Sequence, residues 1–244
     1  MIRIENTEID GFKAAIRGMR NPMNSWDKSD SAFYDFGDDC LYDINGEEQN
    51  FVPDHRETEY IGSTDLDLMR RLVKAGSDHS KFMRMITVTC DITAPLYWWK
   101  EFDTYKVGTV RNSCSTMHKI HAKEFELDDF SYEHLIENDA KTELLAGDDD
   151  TGILVSPVNL LKIIIGALNN YRRKFINTRE KQWWWQMIQL LPSSYNQRAT
   201  VQINYAVLRN MYHGRKNHKL DEWHTLCGWI ESLPYSELIT EVFE

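Results

Sequence analysis

The sequence predicts an α+β protein, rich in helix around a strand-forming centre, and three observations carry that expectation. Residues Met85–Ile92 alternate, with Ile86, Val88, Cys90 and Ile92 on one face and Thr87, Thr89 and Asp91 on the other. That period of two, with its β-branched residues, is a strand signature. After Ser156-Pro157, the residues Leu160, Leu161, Ile164, Leu168, Tyr171 and Phe175 form a broad apolar stripe at helical spacing. Helical patterns flank the strand on both sides, which favours α+β or α/β over a pure bundle. The 244 residues, 42% hydrophobic and 27% charged, suit one large globular domain spanning 1–244.

Taken in order, the stretch up to about Tyr60 is rich in Asn, Asp and Gly, and residues 34–60 read as an acidic loop insertion, densest in acid over 34–50. Leu68, Met69, Leu72 and Val73 then recur at helical spacing, with Ser63 and Thr64 as caps and Gly76 as a stop. Beyond the strand, Pro95 opens a helix over the aromatic segment LYWWKEF. Residues 107–117 are small and polar and read as a loop or short turn. Residues 128–150, ending in Gly147-Asp148-Asp149-Asp150, read as a solvated acidic loop. A helix follows from Ser156, a second covers roughly 178–190 until Leu191-Pro192, and two more cover about 198–213 and 219–232.

Composition excludes several classes. With 38 acidic and 28 basic side chains the net charge is -10, the wrong sign for general nucleic-acid binding. No apolar run approaches the ~20 residues of a membrane span, and the start, Met1-Ile2-Arg3-Ile4-Glu5, lacks a hydrophobic leader core, so the expectation is a cytoplasmic protein without a membrane partner. Cys40, Cys90, Cys114 and Cys227 are far apart and read as separate reduced thiols. GxSxG, HExxH and Walker patterns do not occur. His118 and His121 lack a third ligand nearby, and the acid runs lack the Gly and Glu positions of a calcium loop, so no metal is expected. Trp98-Trp99 and Trp183-Trp184-Trp185 could stack on a flat ligand, but such clusters more often serve as core or oligomer contacts.

The most informative segment runs from Asn204 to Arg215. On a helix, eleven residues advance three turns plus about 20°, placing the two side chains on one face roughly 16 Å apart. An amide at one end and a guanidinium at the other suit a long ligand, and a surface helix with incidental polar residues has the same spacing. A break at Gly214 would instead put Arg215 on the following loop.

In the order of its segments, the chain resembles the flavin-dependent thymidylate synthases. Ala14-Ala15-Ile16-Arg17 is similar to an early Ala-Arg segment of that family. Asp65 to Phe82, followed by the strand, looks like its helix, gHSPFEH turn and strand, with Lys81, Met83 and Arg84 where Pro, Glu and His are usual. Residues Thr104 to Met117 occupy the place of the RHRxxSxNExSxRY signature in degenerate form. There Lys106 keeps a positive charge, Thr109 keeps a hydroxyl and Cys114 replaces a serine. Leu191-Pro192, Asn204, Leu208, Asn210 and Arg215 match the spacing LP…NxxxLxNxxxxR without a gap. The matched pieces cover about residues 63–117 and 187–230.

The resemblance implies a helix-rich fold with a central antiparallel or mixed sheet, a homotetramer with sites between subunits, and methylation of a pyrimidine deoxynucleotide. FAD would be the cofactor, with methylenetetrahydrofolate and NADPH as co-substrates. It further implies that Arg215 meets the pyrimidine and polarises its carbonyl, and that His79, Arg84, Lys106, Asn112, Asn204 and Asn210 face the flavin. Thr109, Arg111 and Cys114 would join Arg215 on the nucleotide. Arg215 and the Thr104-Tyr105-Lys106 loop are expected on opposite walls of one cavity. Cys114 is not needed as a nucleophile and is expected to be a buried, inert thiol unless Lys106 or Arg111 depresses its pKa. Thr104, Tyr105 and Thr116 remove charge-assisted contacts worth ~1.5–3 kcal/mol each. Either the pocket is rebuilt for another nucleotide or cofactor, or the protein binds a nucleotide or another protein without catalysis.

Overall fold

The computed structural model describes residues 2–35, 40–44, 46–49, 59–137, 144–146 and 153–242. In chain order the elements are β1 (Arg3–Asp10), α1 (Phe12–Arg20), β2 (Ala32–Asp35), β3 (Cys40–Tyr42), β4 (Glu48–Gln49), β5 (Glu59–Tyr60), α2 (Ser63–Lys74), β6 (Thr87–Pro95), α3 (Leu96–Phe102) and β7 (Thr109–Ser113). There follow α4 (Thr116–Lys119), β8 (Leu144–Ala146), β9 (Ile153–Val155), α5 (Pro157–Thr178), α6 (Lys181–Leu190), β10 (Asn196–Asn204), α7 (Tyr205–Arg215), α8 (Asp221–Glu231) and α9 (Glu237–Thr240). The main sheet is antiparallel with strand order β1-β6-β10-β7. The fold is α+β, as the sequence predicts.

The chain divides into two compact units. One comprises Ile4–Asp91, Tyr105–Arg111 and Val201–Glu244. In it, α1 starts at Gly11, whose φ of 102° favours glycine, and an added Cβ would come within 2.0 Å of the Met85 carbonyl oxygen. Helix α2 is capped from a distance. Asp30 accepts the backbone N–H groups of Thr64 (2.8 Å) and Asp65 (3.1 Å), so the cap is not Ser63 or Thr64 themselves. Burial pushes the Asp30 carboxyl up, but those N–H donors outweigh it and hold the pKa below the usual value.

Behind this cap, Arg20 Nε donates to Asp65 Oδ1 at 2.6 Å, with side chains only 3% and 0% exposed. Ser29 and Ser31 donate to Asp65 Oδ2, and Arg20 also donates to the Ser25 and Lys28 carbonyls. Every strong donor and acceptor named in this charged cluster thus has a partner, the condition under which burial is tolerable. In the same unit Phe12, Ile16, Met69, Met83, Tyr205 and Leu208 are buried core. The strands β4-β3-β2-β5 make a small antiparallel sheet. The described parts of 34–60 are therefore not plain loop, because Leu41↔Gln49 and Phe33↔Tyr42 register as strand pairs. Residues 36–39, 45 and 50–58 lie outside the described residues.

The other unit comprises Met1–Arg3, Ile92–Thr104 and Asn112–Thr200. Ser156 caps α5 through Asn159 N–H, Pro157 occupies its first turn, and Arg179 at φ 59° ends it. The helix buries Leu161, Ile165 and Leu168 against Phe125, Phe130 and Met187. Asn169 makes a reciprocal pair with Phe125, accepting its N–H and donating to its carbonyl, both at 2.8 Å. Trp98 and Trp99 are core, in contact with Phe102, whereas Trp185 is 41% exposed. Residues 147–150, the end of the expected acidic loop, lie outside the described residues, while β8 and β9 pair through Leu145↔Leu154.

Two sequence expectations are corrected. Residues 198–204 belong to a strand, not a helix, because Ala199, Val201 and Ile203 are buried while Arg198, Thr200 and Gln202 are exposed. That alternation is the period of a strand, and the helix begins only after Asn204. The 107–117 segment holds β7 and the short α4, where Ser115 accepts His118 N–H, rather than loop alone. The expected strand over 85–92 is observed shifted to 87–95, and Pro95 caps the helix that the sequence places there.

Candidate functional site

Helix α7 organises the candidate site. Asn204 is its N-cap, its side chain accepting Val207 N–H at 3.0 Å. The helix continues unbroken through Gly214, so Arg215 is its last residue and not part of a loop. Asn204 and Arg215 therefore bracket one continuous helix. The turn Lys81–Arg84, fixed by buried Phe82 and Met83, packs on the same helix.

The Tyr105–Thr109 segment lies against both ends of α7. Near the N-terminal end, Asn204 Nδ2 donates to the Gly108 carbonyl at 3.4 Å. Gly108 has φ 82°, and a Cβ there would come 2.5 Å from Asn204 Nδ2, so the position needs glycine twice over. At the C-terminal end, Arg215 Nε donates to the Tyr105 hydroxyl at 3.0 Å. The Arg215 guanidinium carbon lies 4.8 Å from the Trp223 ring centroid and 5.6 Å from that of Tyr105. These are cation–π distances. Trp223 is fully buried on α8, which makes it a fixed wall.

Of the residues singled out in the sequence, Lys106 and Thr109 share this loop with Tyr105, and Thr109 and Arg111 share one half-buried face of β7. Among the described residues, the buried Thr109 hydroxyl oxygen has no hydrogen-bond partner. Asn210 is exposed and, five residues from Arg215, points about 140° away around the helix. His79 and Arg84 are exposed on the turn after α2 and at the end of the Lys81–Arg84 turn. Asn112 and Cys114 belong to the other unit and are exposed. Cys114 is thus not the buried thiol expected: its N–H donates to the Arg198 carbonyl and its own carbonyl accepts Gln197 Nε2, holding the chain and leaving the sulfur outside. By contrast, burial and Asp91 push the Cys90 thiol up to about 12, and burial with Glu231 pushes Cys227 to about 11, so both are poor nucleophiles at neutral pH.

Sequence reasoning missed Trp223 and the structural role of Tyr105 as site elements. The signal present was a tryptophan eight residues after Arg215, indistinguishable by pattern from core. A cleft of about 750 Å³ in the other unit is lined by Arg3, Asp128, Asp129, Phe130, Glu133 and Asn196 among others. Its three carboxylates against one guanidinium make it a poor place for a phosphate.

Compared with known proteins, the chain matches no protein-family profile and no curated protein sequence. It is similar in structure to thymidylate synthase X from Helicobacter pylori, solved with FAD and dUMP, at 18% identity and a TM-score of 0.59 over 98% of this chain and 96% of that one. It is also similar to a UMP/dUMP methylase from Streptomyces cacaoi bound with 5-Br dUMP, at 14% identity and a TM-score of 0.56 over 95% and 89%. The same methylase with 5-Br UMP gives 12% identity and a TM-score of 0.55. The chain has the fold of these proteins along nearly its whole length.

Proposed function

We propose that this chain, on the fold of thymidylate synthase X, is a divergent flavin-dependent nucleotide methyltransferase acting on a pyrimidine deoxynucleotide. The observation that carries the reading is the Arg215–Tyr105 contact at 3.0 Å, which joins the C-terminal Arg of the LP…N…N…R spacing to the loop at the signature position. Two segments separated by 110 positions, singled out for the same chemistry, meet in one cluster.

Arg215 would bind the pyrimidine and stabilise charge that builds on its carbonyl oxygen, an effect that grows as water leaves the site. Lys106 would hold the phosphate as a point charge, with Arg111 as a second cation. The unsatisfied Thr109 hydroxyl is a polar group of the kind a ligand oxygen pairs with, and leaving it unpaired costs about 1–3 kcal/mol. For FAD, the cationic side chains Lys106, Arg84 and His79, all in the unit that carries Arg215, would suit the diphosphate. When bound, FAD supplies the hydride, with methylenetetrahydrofolate as carbon donor and NADPH as reductant. A homotetramer with shared sites, in the cytoplasm, completes the proposal.

A visible absorbance spectrum of the pure protein tests it first. A flavin band, or a thermal shift on adding FAD and dUMP, is expected, with turnover lowered about 10²–10³-fold in Arg215→Ala. A colourless protein with no shift from either ligand would overturn it. The second reading is a non-catalytic nucleotide- or protein-binding oligomer. It is favoured by Thr104, Tyr105 and Thr116 standing at charged signature positions. A dUMP-induced shift with background turnover would select it.

A further inference from the structure

We infer that Tyr105 and Trp223 are positioning residues for Arg215, together fixing where its terminal nitrogens point. The inference rests on the nucleotide reading above and assigns roles that the sequence spacing does not. An arginine side chain has many rotamers, and a guanidinium acts on a planar base only when its own plane and in-plane rotation are set. Here two different contacts set them. The Trp223 ring at 4.8 Å and the Tyr105 ring at 5.6 Å confine the guanidinium plane. The Nε–H bond to the Tyr105 hydroxyl, 3.0 Å, fixes rotation within that plane.

The chemistry of the brace matters as much as its geometry. The two rings attract the cation through their quadrupoles while repelling no substrate phosphate. Trp223 is fully buried, and its ring lies 6.1 Å from that of Tyr105, so the brace is itself anchored to the core. Position 105 is where the signature of the resembled family carries a histidine. The tyrosine there draws the guanidinium of α7 up to a loop whose neighbour, Thr104, carries no charge.

Calorimetry on the full chain, with dUMP and deoxyribose 5-phosphate as probes, tests the role. Tyr105→Phe keeps the ring and removes the hydroxyl. It is expected to weaken dUMP about tenfold, while affinity for deoxyribose 5-phosphate, which has no base, stays unchanged. Trp223→Phe, which keeps a ring over the cation, is expected to show a smaller loss with the same selectivity. In side-chain NMR, the Nε–H signal deleted by Arg215→Ala should exchange faster with water in Tyr105→Phe. Unchanged dUMP affinity in Tyr105→Phe, or equal loss for both probes, overturns the positioning role and leaves the nucleotide reading standing. A wild-type protein that binds neither probe overturns both.

Discussion

Two arginines in the same unit are held in opposite ways. Arg20 is buried, ion-paired to Asp65 at 2.6 Å, and donates its remaining named hydrogen bonds to the Ser25 and Lys28 carbonyls. Arg215 is half-buried, and its named contacts are the Tyr105 hydroxyl and two aromatic rings. The first arrangement spends the charge internally to fix α1, the 25–31 segment and α2. The second sets a guanidinium at the end of α7 against a hydroxyl and two rings. A buried ion pair with its named donors all used ties segments together, whereas ring and hydroxyl contacts set where a guanidinium lies.

The strongest way to break the contrast is at Asp65. Asp65→Ala leaves Arg20 charged and buried, and urea unfolding should show a loss of about 3–5 kcal/mol. At a temperature where that variant is still folded, its dUMP affinity should match the wild type. Arg215→Ala is the mirror case. Unfolding free energy should fall by about 1–2 kcal/mol, for one hydrogen bond and the ring contacts, less than for Asp65→Ala. Turnover should fall by about 10²–10³-fold if the guanidinium stabilises developing charge. Stopped assays of product formation read the second effect, and comparable losses of stability for both variants would erase the distinction.

Gly108 sharpens the contrast from the loop side. Gly108→Ala forces a side chain into φ 82° and against Asn204, with an expected cost of about 1–3 kcal/mol and a weakened nucleotide site. Asn204→Ala removes the α7 cap, expected at about 1 kcal/mol in thermal unfolding. The smallest effect is the acid response of Asp30. Its folded-state pKa is lowered, so its contribution is present above the unfolded value and is lost as pH falls through the folded one. Asp30→Asn should flatten that acid limb of the stability profile below about pH 4, where carboxylates protonate.

Much of this arrangement was legible in the sequence, in uneven measure. The 85–92 alternation, the Ser156-Pro157 start and the Pro95 helix are local signals, and the structure contains each. The strand over 196–204 was hidden because Val201 and Ile203 run straight into the apolar residues of α7, blending two periods in one window. The spacing from Asn204 to Arg215 suggests one shared helix face, but the sequence places the helix itself over about 198–213, and it begins only after Asn204. The Asp30 cap, 34 positions from Thr64, and the Trp223 wall depend on tertiary approach. No local pattern encodes either of them.

The reciprocal pair between Asn169 and the Phe125 backbone has a chemical consequence of its own. The amide imitates a neighbouring strand, presenting one donor and one acceptor to a single peptide unit. Hydrolysis to aspartate, the common ageing reaction of asparagine, would alter only one terminal group. It would set a negative oxygen against the Phe125 carbonyl and erase the donor in the same event, detaching that segment from α5 without any change in size.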